Sequence, residues 1–114
     1  MDLADLTQKM HDFVRAKGWY DADSPRPQTP RNIATSISIE AAEILEHFQW
    51  NGEVTDADAL AGELADVALY LLQLASVTGI DLERAITDKL ALNYRRQWDQ
   101  DNPTDSPTHD EEPA

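Results

Sequence analysis

Residues 33–50 read IATSISIEAAEILEHFQW and residues 60–74 read LAGELADVALYLLQL. In both segments apolar side chains recur every three or four residues, which is the spacing of an amphipathic helix. Each segment also carries two acids three residues apart, Glu40 with Glu43 and Glu63 with Asp66. This spacing places the members of a pair side by side on a helix surface. The two segments therefore predict two helices that each present a pair of carboxylates.

The rest of the chain predicts two further helices and a loop. Glycine is scarce, and no stretch shows the alternation of a strand. With their caps, the four predicted helices cover about residues 3–17, 29–50, 56–79 and 81–98, and either Asp56 or Asp58 can cap the third. The polar, proline-broken segment 21–28 is predicted to be a loop. We expect an all-α protein whose protomer is a four-helix bundle.

The acids lie on the apolar sides of their helices. At about 100° of rotation per residue, Glu40 falls within the apolar stripe of the second helix and Glu43 at its edge, whereas Glu46 points away. Glu63 falls within the stripe of the third helix, with Asp66 beside Tyr70. Burying a lone ionised carboxylate costs several kcal/mol, so these inward-facing acids need compensation.

A divalent cation is the compensation that the sequence favours. Neither helix interior contains Lys or Arg, and oxygen ligands suit Mg²⁺ or, as a substitute, Mn²⁺. A di-iron site usually uses Glu-x-x-His pairs, but Glu43 and His47 are four residues apart and the third helix has no His. The residues therefore predict a magnesium site and disfavour iron.

Composition and charge narrow the class of protein. The chain of 114 residues has the length of one domain, assigned to residues 1–98, and it has no Cys for disulfides or thiolate sites. Six of its 22 acids follow Trp98 in a Pro-rich tail, residues 99–114, which is predicted to be disordered. Residues 1–98 still hold 16 acids against nine Lys and Arg, which disfavours a nucleic-acid partner. No uninterrupted apolar run is long enough for a membrane span and no signal peptide is evident, so a cytoplasmic protein without a membrane partner is expected.

The segment SIEAAEILEHFQW at residues 38–50, together with ELADV at 63–67, resembles the MazG-like family of all-α nucleotide pyrophosphohydrolases, and most of all its dCTP pyrophosphatase group. The resemblance covers roughly residues 5–98. It implies a homo-oligomer, either a dimer or a dimer of dimers, with the tetramer favoured. It also implies Mg²⁺-dependent hydrolysis of a nucleoside triphosphate, dCTP or a modified deoxynucleotide, to a monophosphate and pyrophosphate. Such an enzyme would remove unwanted nucleotides from the cellular pool.

The resemblance also implies roles for individual residues. Metal ligation falls on Glu40, Glu43, Glu63 and Asp66. Separately from the resemblance, we prefer Glu43 as the general base that holds the attacking water. Substrate binding falls on His11, Trp19, Asn32, Trp50, Tyr70, Lys89, Asn93 and Arg96. The chain departs from the dCTP group in a longer loop between Trp19 and Pro30, and in Tyr94 where Arg is usual. These departures bear on base preference more than on the reaction.

Two other functions remain open at the level of the sequence. Phosphoribosyl-ATP pyrophosphohydrolase shares carboxylate-bearing helices, although Trp19 and Trp50 fit the dCTP group better. A non-catalytic helical interaction module could use the acids as a polar seam between protomers, but the second and third helices lack basic partners for such a seam. The third helix is apolar almost all round, which by itself predicts that it lies at the centre of an assembly.

Overall fold

The computed structural model describes residues 1–96. This part contains four α-helices and no strand: α1 Leu3–Ala16, α2 Pro30–Glu46, α3 Ala57–Val77 and α4 Leu82–Arg95. The all-α prediction is therefore confirmed. The tail predicted for residues 99–114 lies outside the described residues.

Side chains at the first turns explain where the helices begin. Asp2 and Asp5 each accept the backbone N–H of the other, which forms a capping box at the start of α1. Thr29 caps α2 by accepting a backbone N–H three residues on, with a proline at the first helical position. Asp56 caps α3 in the same way. The choice between Asp56 and Asp58 is thus decided for Asp56.

Two helices end earlier than predicted. After Glu46 the backbone N–H groups bond to carbonyls three residues back, from His47 to Ile44 at 3.1 Å and from Phe48 to Leu45 at 2.9 Å. This tighter turning ends α2 four residues before Trp50, where the sequence placed its end. Helix α4 likewise ends at Arg95, not near residue 98.

The end of α3 agrees with the sequence. Gly79 has φ +77°, the left-handed conformation in which glycine avoids a steric penalty. The next amide, Ile80 N–H, bonds back to the Ala75 carbonyl at 2.8 Å. This closing turn stops the helix at Val77.

Helix α3 organises the first compact unit, Met1–Leu82, by packing against both α1 and α2. The buried apolar side chains come from all three helices: Met10, Val14, Ile33, Leu72 and Ala75. Burying one of the larger of these side chains contributes roughly 1.5–3 kcal/mol to the stability of the fold. The described residues from Glu83 onward belong to a second unit, so α4 is described by itself and the four-helix bundle stays a prediction.

By length and composition alone, α3 could cross a membrane. These two properties discriminate poorly, because the apolar core helix of a soluble protein shares them. Three acids, Asp58, Glu63 and Asp66, lie within the helix, and charged side chains are costly in a bilayer. The predicted absence of a membrane partner stays a prediction.

Candidate functional site

Three of the four predicted metal ligands converge where α2 packs on α3. One carboxylate oxygen each from Glu40, Glu43 and Glu63 lies within 4.8 Å of the other two. All three side chains are half-buried, whereas Glu46 on the same helix is exposed. The inward positions that helical periodicity predicted for these acids are confirmed.

The carboxylates disturb one another's protonation. The pKa of Glu40 is raised, first by its removal from water and then by the negative charges of Glu43 and Asp66 and a hydrogen bond with Glu43. The pKa of Glu63 is also raised, chiefly by a hydrogen bond with Glu43, then by burial and by the charges of Glu43 and Glu40. Like charges therefore crowd this site, and protonation or a cation relieves the repulsion.

The donor set fits a hard divalent cation. Glu63 Oε1 is buried and has no hydrogen-bond partner. Helix α3 contains no Lys or Arg, and α2 contains only Arg31 in its first turn. A buried carboxylate oxygen without a donor is expensive in a folded protein, and ligation of Mg²⁺ or Mn²⁺ would satisfy it.

Asp66 has a different environment from the other three acids. It is exposed and lies outside the cluster of three, although its charge contributes to the raised pKa of Glu40. It also lines a groove of about 420 Å³ between α1 and α3. Its role as a fourth metal ligand stays a prediction.

His47 is a neighbour of the cluster that the sequence did not assign to the site. Its charge lowers the pKa of Glu63, opposite to the effect of the acids. The residue follows α2 directly and stands four residues after Glu43. That spacing was the available signal, because residues four apart share a helix face.

A second groove, of about 310 Å³, brings together three predicted substrate-binding residues. Trp19 from the loop after α1, Asn32 from α2 and Tyr70 from α3 all line it. Asn32 is held by its side-chain N–H, which donates to the Pro27 carbonyl at 2.9 Å. The sequence brought these residues together only through the family resemblance, since they lie on three different elements.

Trp19 is fixed by neighbours on two sides. Phe13 meets its ring edge-to-face at 5.7 Å between centroids, and the Arg26 guanidinium lies 5.5 Å from its ring centroid. Such aromatic and cation–π contacts each add about 0.5–1.5 kcal/mol when partly exposed. The indole is therefore held in place before any ligand arrives.

Within the first unit, His11 and Trp50 line neither of these grooves, and the predicted residues of α4 are described by themselves. His11 bonds to Tyr20 and Ser76, each at 2.7 Å, and lines neither groove. Trp50 is 89% exposed. On α4, Lys89 and Asn93 line one shallow depression of about 290 Å³, and Arg96 follows the end of the helix. Nothing brings Trp50 into the grooves within the described chain.

Gln28 and Gln73 were missed by the sequence analysis. Gln28 lines both grooves, and Gln73, on α3, is the buried polar side chain that holds it at 2.9 Å. A glutamine among Leu71, Leu72 and Leu74 in an apolar helix was the signal that could have identified Gln73.

Comparisons with known proteins agree with this geometry. The model of the MazG-like family matches residues 35–108, which include all four predicted metal ligands. Human dCTP pyrophosphatase 1 is 31% identical over 103 residues, covering 82% of this chain and 58% of its own length. The chain thus spans little more than half the length of the curated dCTP pyrophosphatases that it matches.

A shorter sequence match and a similar solved structure also support this family. A dATP/dGTP diphosphohydrolase of Salmonella phage PMBT28 is 53% identical over 38 residues, covering 33% of this chain and 13% of its own length. The crystal structure of a pyrophosphatase from Archaeoglobus fulgidus DSM 4304 is 35% identical with a TM-score of 0.65, covering 81% of this chain and 88% of its own. Since the family model matches more than half of the chain and the helices agree with a solved relative, the chain belongs to the MazG-like family.

Proposed function

We propose that the protein is a Mg²⁺-dependent nucleoside triphosphate pyrophosphohydrolase, which converts a (deoxy)nucleoside triphosphate to a monophosphate and pyrophosphate. The observation that carries the proposal is the cluster of Glu40, Glu43 and Glu63, whose repulsion no basic residue of α3 offsets. The names of the relatives, dCTP pyrophosphatase 1 and dATP/dGTP diphosphohydrolase, support the same reaction.

The acids divide the work of binding and proton transfer. Glu40, Glu43 and Glu63 would hold the cation, with Asp66 completing the set. Mg²⁺, or Mn²⁺ in its place, supplies positive charge to the triphosphate and makes a bound water more acidic. We assign Glu43 to accept the proton of the attacking water, because one of its carboxylate oxygens lies within 4.8 Å of an oxygen from each of the other two acids. The water oxygen bonds to one phosphorus of the α–β bridge, and the bridging oxygen leaves with the other phosphoryl group.

The two grooves suit a nucleoside. Trp19 and Tyr70 offer aromatic surface, and Asn32 offers an amide. Stacking a base on an aromatic ring is worth about 1–3 kcal/mol in single-strand binders, and we expect a comparable gain here. Lys89 and Asn93, which are four residues apart and share a face of α4, would contact the phosphates together with Arg96, which follows the end of the helix.

The favoured substrate is dCTP or a modified deoxynucleoside triphosphate. The likeness to dCTP pyrophosphatase extends over 82% of the chain, whereas that to the phage enzyme extends over 33%. The formal net charge of −13 disfavours a nucleic-acid partner. Cytoplasmic action in the nucleotide pool follows from the substrate.

A homo-oligomer is part of the proposal. Large apolar side chains stay exposed on α2 and α3, among them Ile39, Leu45, Leu64 and Leu71. An apolar face of this kind on a small domain favours self-association. We favour a dimer of dimers, with a dimer as the alternative, and expect Trp50 to meet a neighbouring subunit.

The test is incubation of the purified protein with each common and modified nucleoside triphosphate and Mg²⁺, followed by product analysis. We expect a monophosphate and pyrophosphate from one or a few of them. The Glu40→Gln variant should lose at least about 100-fold in turnover, since even outer-shell changes at metal sites cost 10–100-fold. Glu46→Gln, on the exposed face of the same helix, is the matched control and should keep full activity.

Release of orthophosphate would contradict the proposal by indicating a different hydrolase. Absence of turnover with all nucleotides, despite metal binding by calorimetry, would favour phosphoribosyl-ATP as substrate. Absence of both turnover and metal binding would favour the interaction module.

A further inference from the structure

The loop between α1 and α2 contributes to the walls of both grooves. Trp19 and Gln28 from this loop line both, as does Tyr70 from α3. These three side chains therefore form the wall where the two grooves meet. Gln28 is the member of this wall that carries both a hydrogen-bond donor and an acceptor on adjacent atoms.

The amide of Gln28 is held in one orientation. Its Nε2 donates to the Arg26 carbonyl at 2.6 Å, and a carbonyl can only accept, so this end must be the nitrogen. Its Oε1 then faces Gln73 and accepts from Gln73 Nε2 at 2.9 Å. One N–H and one lone pair of Gln28 are left over by these two bonds.

Gln73 is fixed in turn. Its side chain is 2% exposed, and Nε2 also donates to the Tyr20 hydroxyl at 3.2 Å, so both amide protons are used. The Tyr20 hydroxyl also hydrogen-bonds with His11 Nδ1 at 2.7 Å, and His11 Nε2 hydrogen-bonds with the Ser76 hydroxyl at 2.7 Å. A continuous chain of hydrogen bonds thus links the Arg26 carbonyl to α3.

Hydrogen bonds that do not involve Gln28 also hold the loop. Ser24 N–H bonds to the Asp21 carbonyl at 3.0 Å, Arg26 N–H bonds to the Ser24 hydroxyl at 2.9 Å, and the Asn32 amide holds the Pro27 carbonyl. These bonds already fix the path of the backbone. The contact between Gln28 and Gln73 instead fixes which end of an amide faces the grooves.

We propose that Gln28 reads the hydrogen-bonding edge of the nucleobase and sets base preference, and that Gln73 is the positioning residue that orients it. The proposal rests on the proposed function and names a specificity residue of the same site. A glutamine amide pairs with a base edge that places an acceptor next to a donor, as glutamines do in DNA recognition. A base with the wrong pattern leaves the fixed amide unpaired, and sites built on hydrogen bonds reject such analogues strongly.

The first experiment compares wild type with the Gln28→Leu variant on the four common deoxynucleoside triphosphates. We expect KM for the preferred substrate to rise about 10-fold or more, and the ratio of kcat/KM between the two best bases to fall about 10-fold, because one oriented hydrogen-bonding pair is lost. Pyrophosphate should still be released, since Gln28 takes no part in the carboxylate cluster. Gln8→Leu, an exposed glutamine of α1 that bonds only to Asp12, is the matched control and should change neither value.

The second variant, Gln73→Glu, tests orientation separately from contact. A carboxylate at this position can only accept, so it cannot donate to Gln28 Oε1, and the contact with α3 that orients the Gln28 amide is lost while its bond to the Arg26 carbonyl remains. We expect the discrimination among the four bases to weaken. Circular dichroism establishes that the variant is folded, and if it is not, Gln28→Leu decides alone.

Unchanged KM and unchanged discrimination in Gln28→Leu, with an active wild type, would overturn this proposal and leave the proposed function standing. A wild type that releases no pyrophosphate from any nucleotide would overturn both.

Discussion

Glu63 contributes to the candidate cation site at a cost to the stability of the metal-free protein. Its Oε1 is buried without a hydrogen-bond partner, and Glu43 and Glu40 raise its pKa. Glu63→Gln removes one negative charge and keeps the shape, so we expect the unfolding midpoint in EDTA to rise relative to wild type. In Mg²⁺ at 100 times its Kd, wild type should gain about 2.7 kcal/mol, whereas the variant should gain much less.

Differential scanning calorimetry with EDTA and with Mg²⁺ measures both effects. Glu46→Gln removes a charge from the exposed face of α2 and should keep the wild-type response to Mg²⁺. A wild-type midpoint that is the same in EDTA and in Mg²⁺ would contradict the assignment of the cluster to a cation.

His11 predicts a pH dependence of stability. Its pKa is lowered from 6.5, mainly by burial and then by Arg15, while Asp12 acts in the opposite direction. Between the folded pKa and 6.5 the unfolded chain binds more protons than the folded chain, so stability rises with pH there. The stabilisation from neutral His11 is thus present above about pH 6.5 and is lost as pH falls through the folded pKa.

The measurement is the free energy of unfolding of wild type and His11→Asn from pH 7.5 downward. Titration of Glu40 and Glu63 changes the free energy of unfolding in the opposite direction. This effect is common to wild type and the variant, so it cancels in the difference between their free energies of unfolding. We expect the advantage of wild type over the variant to shrink as pH falls. A difference that stays constant across the range would show that His11 does not titrate between the two states.

At the scale of the helix, substitution by alanine should have opposite effects on stability at a glycine inside α3 and at the glycine that follows its end. Gly62 lies inside α3, and a methyl group added there would meet open space, so Gly62→Ala should stabilise by about 0.5–1 kcal/mol. Gly79 also has open space, but its φ is +77°, so Gly79→Ala should destabilise by about 1–2 kcal/mol. Urea unfolding of the two variants gives the comparison, with each serving as the other's control. A destabilising Gly62→Ala would indicate that another subunit packs on this face.

The elements differ in how far the sequence could predict them. Helix starts follow from local chemistry, and Asp2, Thr29 and Asp56 each supply a cap that is readable from the sequence. The predicted end of α2, at Trp50 before Gly52, is four residues too late. The backbone already changes to hydrogen bonds three residues apart after Glu46, and Gly52 does not determine that change.

The part of the candidate site whose residues follow helical periodicity was predictable from the sequence. The inward arcs of α2 and α3 predicted the meeting of Glu40, Glu43 and Glu63, because two stripes that pack together bring their acids together. The loop contacts were not predictable. Gln28 and Gln73 are 45 residues apart, and their pairing depends on the path of a loop that no local pattern specifies.

At the scale of the whole molecule, exposed apolar surface on α3 predicts assembly. Leu71 is 43% exposed in the single chain, and Leu71→Glu would place a charge on the face that we expect a second copy to cover. Light scattering at micromolar concentration should give a dimer or tetramer for wild type and a smaller species for the variant. Ala4→Glu, which adds an acid to the exposed first turn of α1, is the control and should keep the wild-type mass. A monomeric wild type would contradict the predicted homo-oligomer.

The pairing of Gln28 with Gln73 also has an evolutionary consequence. The buried amide of Gln73 donates hydrogen bonds to both Gln28 in the loop and Tyr20. A mutation that removes this amide therefore leaves two hydrogen-bond partners unsatisfied at once. A lineage that loses the amide at position 73 should therefore acquire a compensating replacement at position 28 or position 20. When related sequences are aligned, we expect these positions to change together, and the lineages that differ there to be the ones whose enzymes prefer different bases.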